Sequence, residues 1–144
     1  MADVPKELEN LERIGKLASE RGTRGEIAGL MTSGAERLAD ARNAGLALSS
    51  RFDLAYNAAH AFSLAALRWH GYRSENRYLV FQLLPHTLRL PAAIWRVLAK
   101  AHELRNLAEY EGHLDVDATL LRNMIEAAEA VRVAVATLPV LPAS

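Results

Sequence analysis

The sequence contains no cysteine among its 144 residues. This absence excludes a disulfide framework, a thiol nucleophile and thiolate-ligated zinc or iron–sulfur sites, and it fits a reducing compartment. A chain of this length is one domain of ordinary size and can bury a sizeable core without disulfides or metal ions. Its hydrophobic content of 51% is typical of a globular protein.

A long apolar run is also lacking. The least polar stretch, residues 54–67, is interrupted by Asn57, His60 and Ser63 and is too short to span a bilayer. The N-terminal stretch MADVPKELEN is acidic and polar, without the apolar segment of a signal peptide. We therefore expect a soluble, cytoplasmic protein that does not associate with a membrane.

Neither sign of charge is in excess, because 17 Lys and Arg residues balance 17 Asp and Glu residues. The balance is uneven along the chain, since residues 68–105 carry seven basic against two acidic residues, and residues 106–144 carry two against six. One interpretation is that neighbouring helices balance each other. The other is a local anion-binding surface, formed by some of Arg68, Arg73, Arg77, Arg89, Arg96, Lys100 and Arg105.

Apolar residues recur at helical spacing along the whole chain, and no alternating stretch predicts a strand. Helices are expected at about 6–19, 25–44, 51–71, 75–84, 92–110 and 118–137. The third is alanine-rich and therefore central, because small residues let neighbouring helices approach closely. We predict an all-α, up-and-down bundle of five to six helices, with an N-terminal helix in 1–24, the bundle in 25–138 and a short tail in 139–144.

The fifth predicted helix carries an unusual set of polar residues in the stretch AHELRNLAEYEGH, residues 101–113. A helical wheel places the core stripe at Val97, Ala101, Leu104 and Ala108. Arg105 and Glu109 flank the stripe on one side, and Asn106 and Tyr110 flank it on the other, each pair at i,i+4 spacing. One possibility is that Arg105 and Glu109 form a surface ion pair while Asn106 and Tyr110 border the core. The other is that the four residues form one polar site. Asn is a poor choice within a helix, which favours the polar site.

The stretch RFDLAYNAAHAFSLAALRWHGYR, followed by HELRNLAEYEGHLDVD and a final amphipathic helix, resembles the HEPN family of prokaryotic helical bundles. The resemblance covers residues 25–137, and Arg105 with Asn106 is similar to the start of the family's Arg/His motif. It implies a homodimer in which the motifs of two protomers meet and cut RNA without a metal ion. It also implies a partner, either a nucleotidyltransferase or an antitoxin.

The sequence differs from this motif at the position of the histidine. After Arg105, the position that follows four intervening residues is Tyr110 instead, and His113 follows only after seven intervening residues, beyond Gly112. A tyrosine with an ordinary pKa near 10 is a poor general base at neutral pH. This favours a dimeric module with degraded catalysis that binds RNA, a nucleotide or a partner protein. The alternative is an active endoribonuclease toxin that uses Arg105 and His113.

Binding is assigned to five residues of this helix: Arg105, Asn106, Glu109, Tyr110 and His102. No metal site and no cofactor are expected, since the sequence has no H-E-x-x-H or G-x-S-x-G motif and no Gly-rich phosphate loop. A homodimer is also expected because one short segment carries more large aromatic residues than a small bundle readily buries: Trp69, Tyr72, Tyr78, Phe81 and Trp95.

Overall fold

The fold is almost entirely helical in a computed structural model that describes residues 4–143. Residues 1–3 and 144, which belong to the predicted N-terminal segment and tail, lie outside the described residues. The described part holds seven helices and two very short strands. In chain order they are α1 (Lys6–Arg13), β1 (Ala18–Ser19), α2 (Arg24–Ala41), α3 (Leu48–Trp69), β2 (Tyr72–Arg73), α4 (Arg77–Gln82), α5 (Leu84–Thr87), α6 (Ala92–Glu111) and α7 (Ala118–Ala136).

The helix α3 is the centre of the molecule, as its alanine content predicts. It packs against α2 and α7 along most of its length and meets α4 and α6 on another side. Its small residues allow this close approach, and Ala55, Ala58 and Ala59 are fully buried. On α2, Gly34 faces α3 so closely that an added Cβ atom would lie 2.4 Å from the ring of Phe62. In residues 4–143, no helix is long and apolar enough to cross a membrane.

Local signals explain where most helices begin and end. The side chains of Thr23, Asn76 and Asp117 accept the capping hydrogen bonds of α2, α4 and α7. Gly112 ends α6 in the left-handed conformation with φ +83°. The exception is α3, which begins at Leu48 after Ala47, without a side-chain cap and a few residues before the predicted start at 51.

The two strands and two helix boundaries differ from the prediction. The first helix ends at Arg13 instead of Ser19, because Gly15 takes a left-handed φ of +78° and Ala18–Ser19 pair with Tyr72–Arg73 in an antiparallel ribbon. Strands of two residues are too short to show alternation. The helix predicted at 75–84 is instead two short helices, with Pro85 in the first turn of the second.

The apolar interior is divided into two clusters. The larger lies among α2, α3, α6 and α7 and includes Phe52, Tyr56, Phe62 and Met124. The smaller lies under the N-terminal segment and consists of Leu8, Leu17, Leu67, Tyr72, Val80 and Leu83.

Arg68 joins the N-terminal segment to the bundle. Its side chain is only 4% exposed, and its guanidinium contacts both carboxylate oxygens of Glu26, through Nε at 3.0 Å and Nη2 at 3.1 Å. The same group donates to the backbone carbonyls of Glu20, Arg21 and Tyr72. The hydrogen bond from Arg68 lowers the pKa of Glu26. Arg68 is therefore structural and cannot belong to a surface that attracts anions.

The aromatic residues that suggested a subunit contact have partners within the chain. Phe81 and Tyr72 are buried. The indole nitrogen of Trp69 donates to the carbonyl of Pro139, and Tyr78 meets Trp95 edge to face. Aromatic content alone thus does not require a dimer, which remains a prediction.

Candidate functional site

An open groove of about 770 Å³ lies beside the residues that the sequence singles out. One wall is the first turns of α3, the other is the C-terminal half of α6, and the loop after α6 closes one end. Three of the predicted site residues, Arg105, Glu109 and His113, line it together. The full lining is Ser49, Ser50, Asp53, Leu54, Arg105, Ala108, Glu109, Gly112, His113 and Leu114.

The orientation of α6 explains why Arg105 points into this groove. The buried residues of α6 are Leu98, Ala99 and Ala101, whereas Val97 and Leu104 are only half-buried. The core stripe is therefore rotated from the predicted one, and Arg105 lies on the side that faces α3. Glu109 is one turn further along the same side.

Arg105 is fixed by two residues of α3. Its Nε lies 2.8 Å from Oδ1 of Asp53, and its guanidinium carbon lies 4.3 Å from the ring centre of Tyr56. The second contact is a cation–π arrangement with a fully buried ring. The carboxylate partner of Arg105 is thus Asp53 on a neighbouring helix, instead of the Glu109 considered from the sequence.

Asp53 is positioned in turn by Asn57, which Arg77 contacts. The amide nitrogen of Asn57 lies 2.9 Å from the backbone oxygen of Asp53 and 3.3 Å from its Oδ2. The amide oxygen of Asn57 accepts from Arg77 at 2.9 Å. A chain of contacts therefore runs from α4 through α3 to Arg105, and it restricts the direction in which the guanidinium points.

His102 does not line the groove but contacts Tyr56, the residue whose ring Arg105 packs on. Its Nδ1 lies 2.9 Å from the hydroxyl oxygen of Tyr56, and its Nε2 accepts from the amide nitrogen of Asn106 at 3.1 Å. In this arrangement the ring proton is on Nδ1 and is directed to Tyr56. Burial lowers the pKa of His102, and the charges of Arg105 and Arg77 lower it further. His102 is therefore neutral at pH 7.

Asn106 and Tyr110 lie outside the groove lining. The partner of Asn106 is His102, one turn earlier on the same helix, so its position within the helix is satisfied locally. Tyr110 is 93% exposed. Within one chain, the two residues do not form a polar site with Arg105.

His113 follows the left-handed Gly112 and stands at the end of the groove. Its side chain is 64% exposed, and its Nε2 lies 3.6 Å from a carboxylate oxygen of Asp115. A cation from Arg105 and a histidine can therefore both reach a group bound in the groove.

The Nε2 atom of His60 is buried near this network without a hydrogen-bond partner. Its ring meets Phe81 edge to face at 6.0 Å. Burial, followed by the charge of Arg77 and by repulsion from His102 when that ring is protonated in acid, lowers the pKa of His60 to about 4. The neutral form is thus strongly favoured in the folded chain.

We expect this histidine to destabilise the protein in acid. An unfolded histidine has a pKa of about 6.5, so between pH 6.5 and 4 the unfolded chain binds more protons and the free energy of unfolding falls as pH falls. In urea unfolding, His60→Leu should gain about 2 kcal/mol over the wild type between pH 7 and pH 4.5. His113→Leu, which alters an exposed ring, should gain nothing. Equal gains would contradict the assignment.

Sequence reasoning missed the α3 side of the site. Asp53, Tyr56, Asn57 and His60 recur at spacings of three, one and three, which places them on one face of a helix. A polar stripe on a central, otherwise apolar helix is a signal that could have found them. In residues 4–143, no group of three or more His, Cys, Asp or Glu side chains is arranged to hold a metal ion.

No protein-family model, curated protein or solved structure matches this chain.

Proposed function

We propose that the chain is a HEPN-like binding module that acts as a homodimer on RNA or a nucleotide, with degraded catalysis. One observation carries the proposal: Arg105, the arginine of the motif, is fixed in an open groove by Asp53 and Tyr56. The contact with Asp53 uses one of the five N–H donors of the guanidinium. The others can bind a phosphate, for which a planar arginine fork is well suited.

Further lining residues are compatible with such a ligand. Ser49 and Ser50 supply hydroxyl groups in the first turn of α3, where the helix dipole favours an anion. Glu109 and Asp53 add negative charge, so the groove is mixed and would select a ligand with both phosphate and hydroxyl or amino groups. A nucleotide or a short stretch of RNA has this chemistry.

A homodimer and an up-and-down HEPN arrangement are part of the proposal. The outer side of α6 exposes Leu107 and Tyr110 next to the groove, and burying them against a second copy would remove apolar surface from water. A nucleotidyltransferase or antitoxin is the expected partner if the chain is one half of such a pair.

Cleavage of RNA is the alternative function, and the shared groove of Arg105 and His113 is the observation that favours it. His113 would move a proton of the 2′-hydroxyl or of the leaving oxygen, and Arg105 would stabilise the charge on the phosphate. Tyr110, which occupies the motif position, is directed to solvent.

The role of the groove can be tested with one pair of variants. We expect Arg105→Ala to weaken binding of a fluorescent single-stranded RNA roughly tenfold or more and to reduce its salt dependence, because a charged hydrogen bond to phosphate is lost. Arg96→Ala removes the same charge from the exposed side of the same helix and should have little effect. Anisotropy titrations at two salt concentrations measure both. Equal losses for the two variants would contradict a specific site.

The same RNA distinguishes binding from cleavage. Incubation with the wild type, followed by electrophoresis, should leave the RNA intact if catalysis is degraded. Products that disappear in both Arg105→Ala and His113→Ala would establish the alternative.

A further inference from the structure

A second cavity, separate from the groove, lies where the first turns of α2 meet the ends of α3 and α7. Its volume is about 200 Å³. The walls are mainly carbon, from side chains that include Ile27, Met31, Trp69, Val135 and Leu138. The chain after α7, through Val140 and Leu141, covers one side.

Hydrogen bonds from two side chains hold the segment after α7 in place. The indole nitrogen of Trp69 donates to the carbonyl of Pro139 at 2.7 Å, and Nε of Arg24 donates to the carbonyl of Leu141 at 2.9 Å. This segment thus forms one fixed wall of a cavity that is partly open to solvent, and both anchoring side chains also line it.

The size and lining of the cavity define what it can hold. A volume of about 150 Å³ is enough to hold benzene. The volume of about 200 Å³ here therefore accepts a single ring with a short arm. The walls offer no polar partners for the ring. A ligand that fills it gains from the removal of apolar surface from water.

Arg24 places a positive charge at the rim of the cavity, which favours a negatively charged ligand. It is the first residue of α2, its side chain is exposed to solvent, and its contact with Leu141 uses one N–H of five. The carboxylate two residues further along, Glu26, is already held by Arg68 and does not neutralise it. The N-terminal turn of α2 favours negative charge as well.

We propose that this cavity binds a compact apolar carboxylate, with a ring or short branched chain in the cavity and the carboxylate on Arg24. The ligand class follows from a small apolar space with one cation at its rim. The site is independent of the groove at Arg105.

The test is a titration of the full chain with 3-phenylpropionate. Trp69 lines the cavity and reports on it by fluorescence when Trp95→Phe removes the other tryptophan. We expect saturable binding of one molecule per chain, and a rise in melting temperature with ligand concentration. 3-Phenylpropanol, which lacks the charge, should bind roughly tenfold or more weakly, and so should 3-phenylpropionate to Arg24→Gln.

Two substitutions fill the cavity from different walls. Ala28→Leu adds bulk from α2 and Ala136→Leu from α7, and we expect each to weaken binding roughly tenfold or more by occupying space at the wall. The control is Ala39→Leu, which makes the same change on α2 about three turns from Ala28 and outside the cavity, and should bind as the wild type does. No saturable binding, equal binding of the alcohol, or binding unaffected by both filling variants would each overturn the proposal.

Discussion

Arg68→Met is expected to lower the free energy of unfolding by several kcal/mol, because it removes charged hydrogen bonds, each contributing about 1.5–3 kcal/mol, from a side chain that is only 4% exposed. Methionine keeps much of the side-chain volume but none of the donors. Three backbone carbonyls, those of Glu20, Arg21 and Tyr72, then lose the charged hydrogen bonds that satisfy them. The carboxylate of Glu26 loses its bidentate partner as well.

Arg73→Met is the matched control, because Arg73 contacts the same acidic segment through Glu20 at 3.0 Å but is 55% exposed. An exposed pair of this kind contributes at most about 1 kcal/mol. Urea unfolding followed by circular dichroism measures both variants. A loss for Arg68→Met that is no larger than the loss for Arg73→Met would show that the buried network contributes little.

The second large effect concerns two glycines of α2 that the same substitution should change in opposite directions. Gly34→Ala places a methyl group 2.4 Å from the ring of Phe62, which is fully buried and cannot move aside without displacing the core. We expect a loss of roughly 1–3 kcal/mol from this overpacking, despite the better helix propensity of alanine. At Gly29 nothing lies within 4 Å of an added Cβ atom.

Gly29→Ala should therefore stabilise the chain by about 0.5–1 kcal/mol, since glycine is the poorer residue within a helix. Thermal unfolding of the two variants side by side gives the comparison. If both variants are more stable than the wild type, α2 and α3 are not in the close contact described here.

The extent to which the sequence predicts the fold depends on the range of the interactions involved. The helices α2, α3, α6 and α7 follow from apolar periodicity and from local signals such as Gly112 at the end of α6, which act within a few residues. The ribbon could not be predicted, because Ala18 pairs with Arg73, 55 positions away, and neither strand has a pattern of its own.

The candidate site is likewise predictable only where it depends on interactions between residues close in sequence. Periodicity predicts that Arg105 and Glu109 share one side of a helix. It does not specify how α6 is rotated against α3. The ion pair with Asp53 and the contact with Tyr56 therefore could not be predicted from periodicity. His113 illustrates a third case: its place after the helix was predictable from Gly112, but its position at the end of the groove depends on tertiary structure.

Because the apolar interior is divided into two clusters, we expect α1 to open separately from the long helices. The helix α1 contributes its one buried side chain, Leu8, to the smaller cluster only, whereas α2, α6 and α7 bury their side chains in the larger. Detaching α1 alone would expose a few side chains, while the four long helices and the Arg68 network keep their contacts. Amide hydrogens of α1 should then exchange through a partial opening, at a lower free energy than those at the centre of α3.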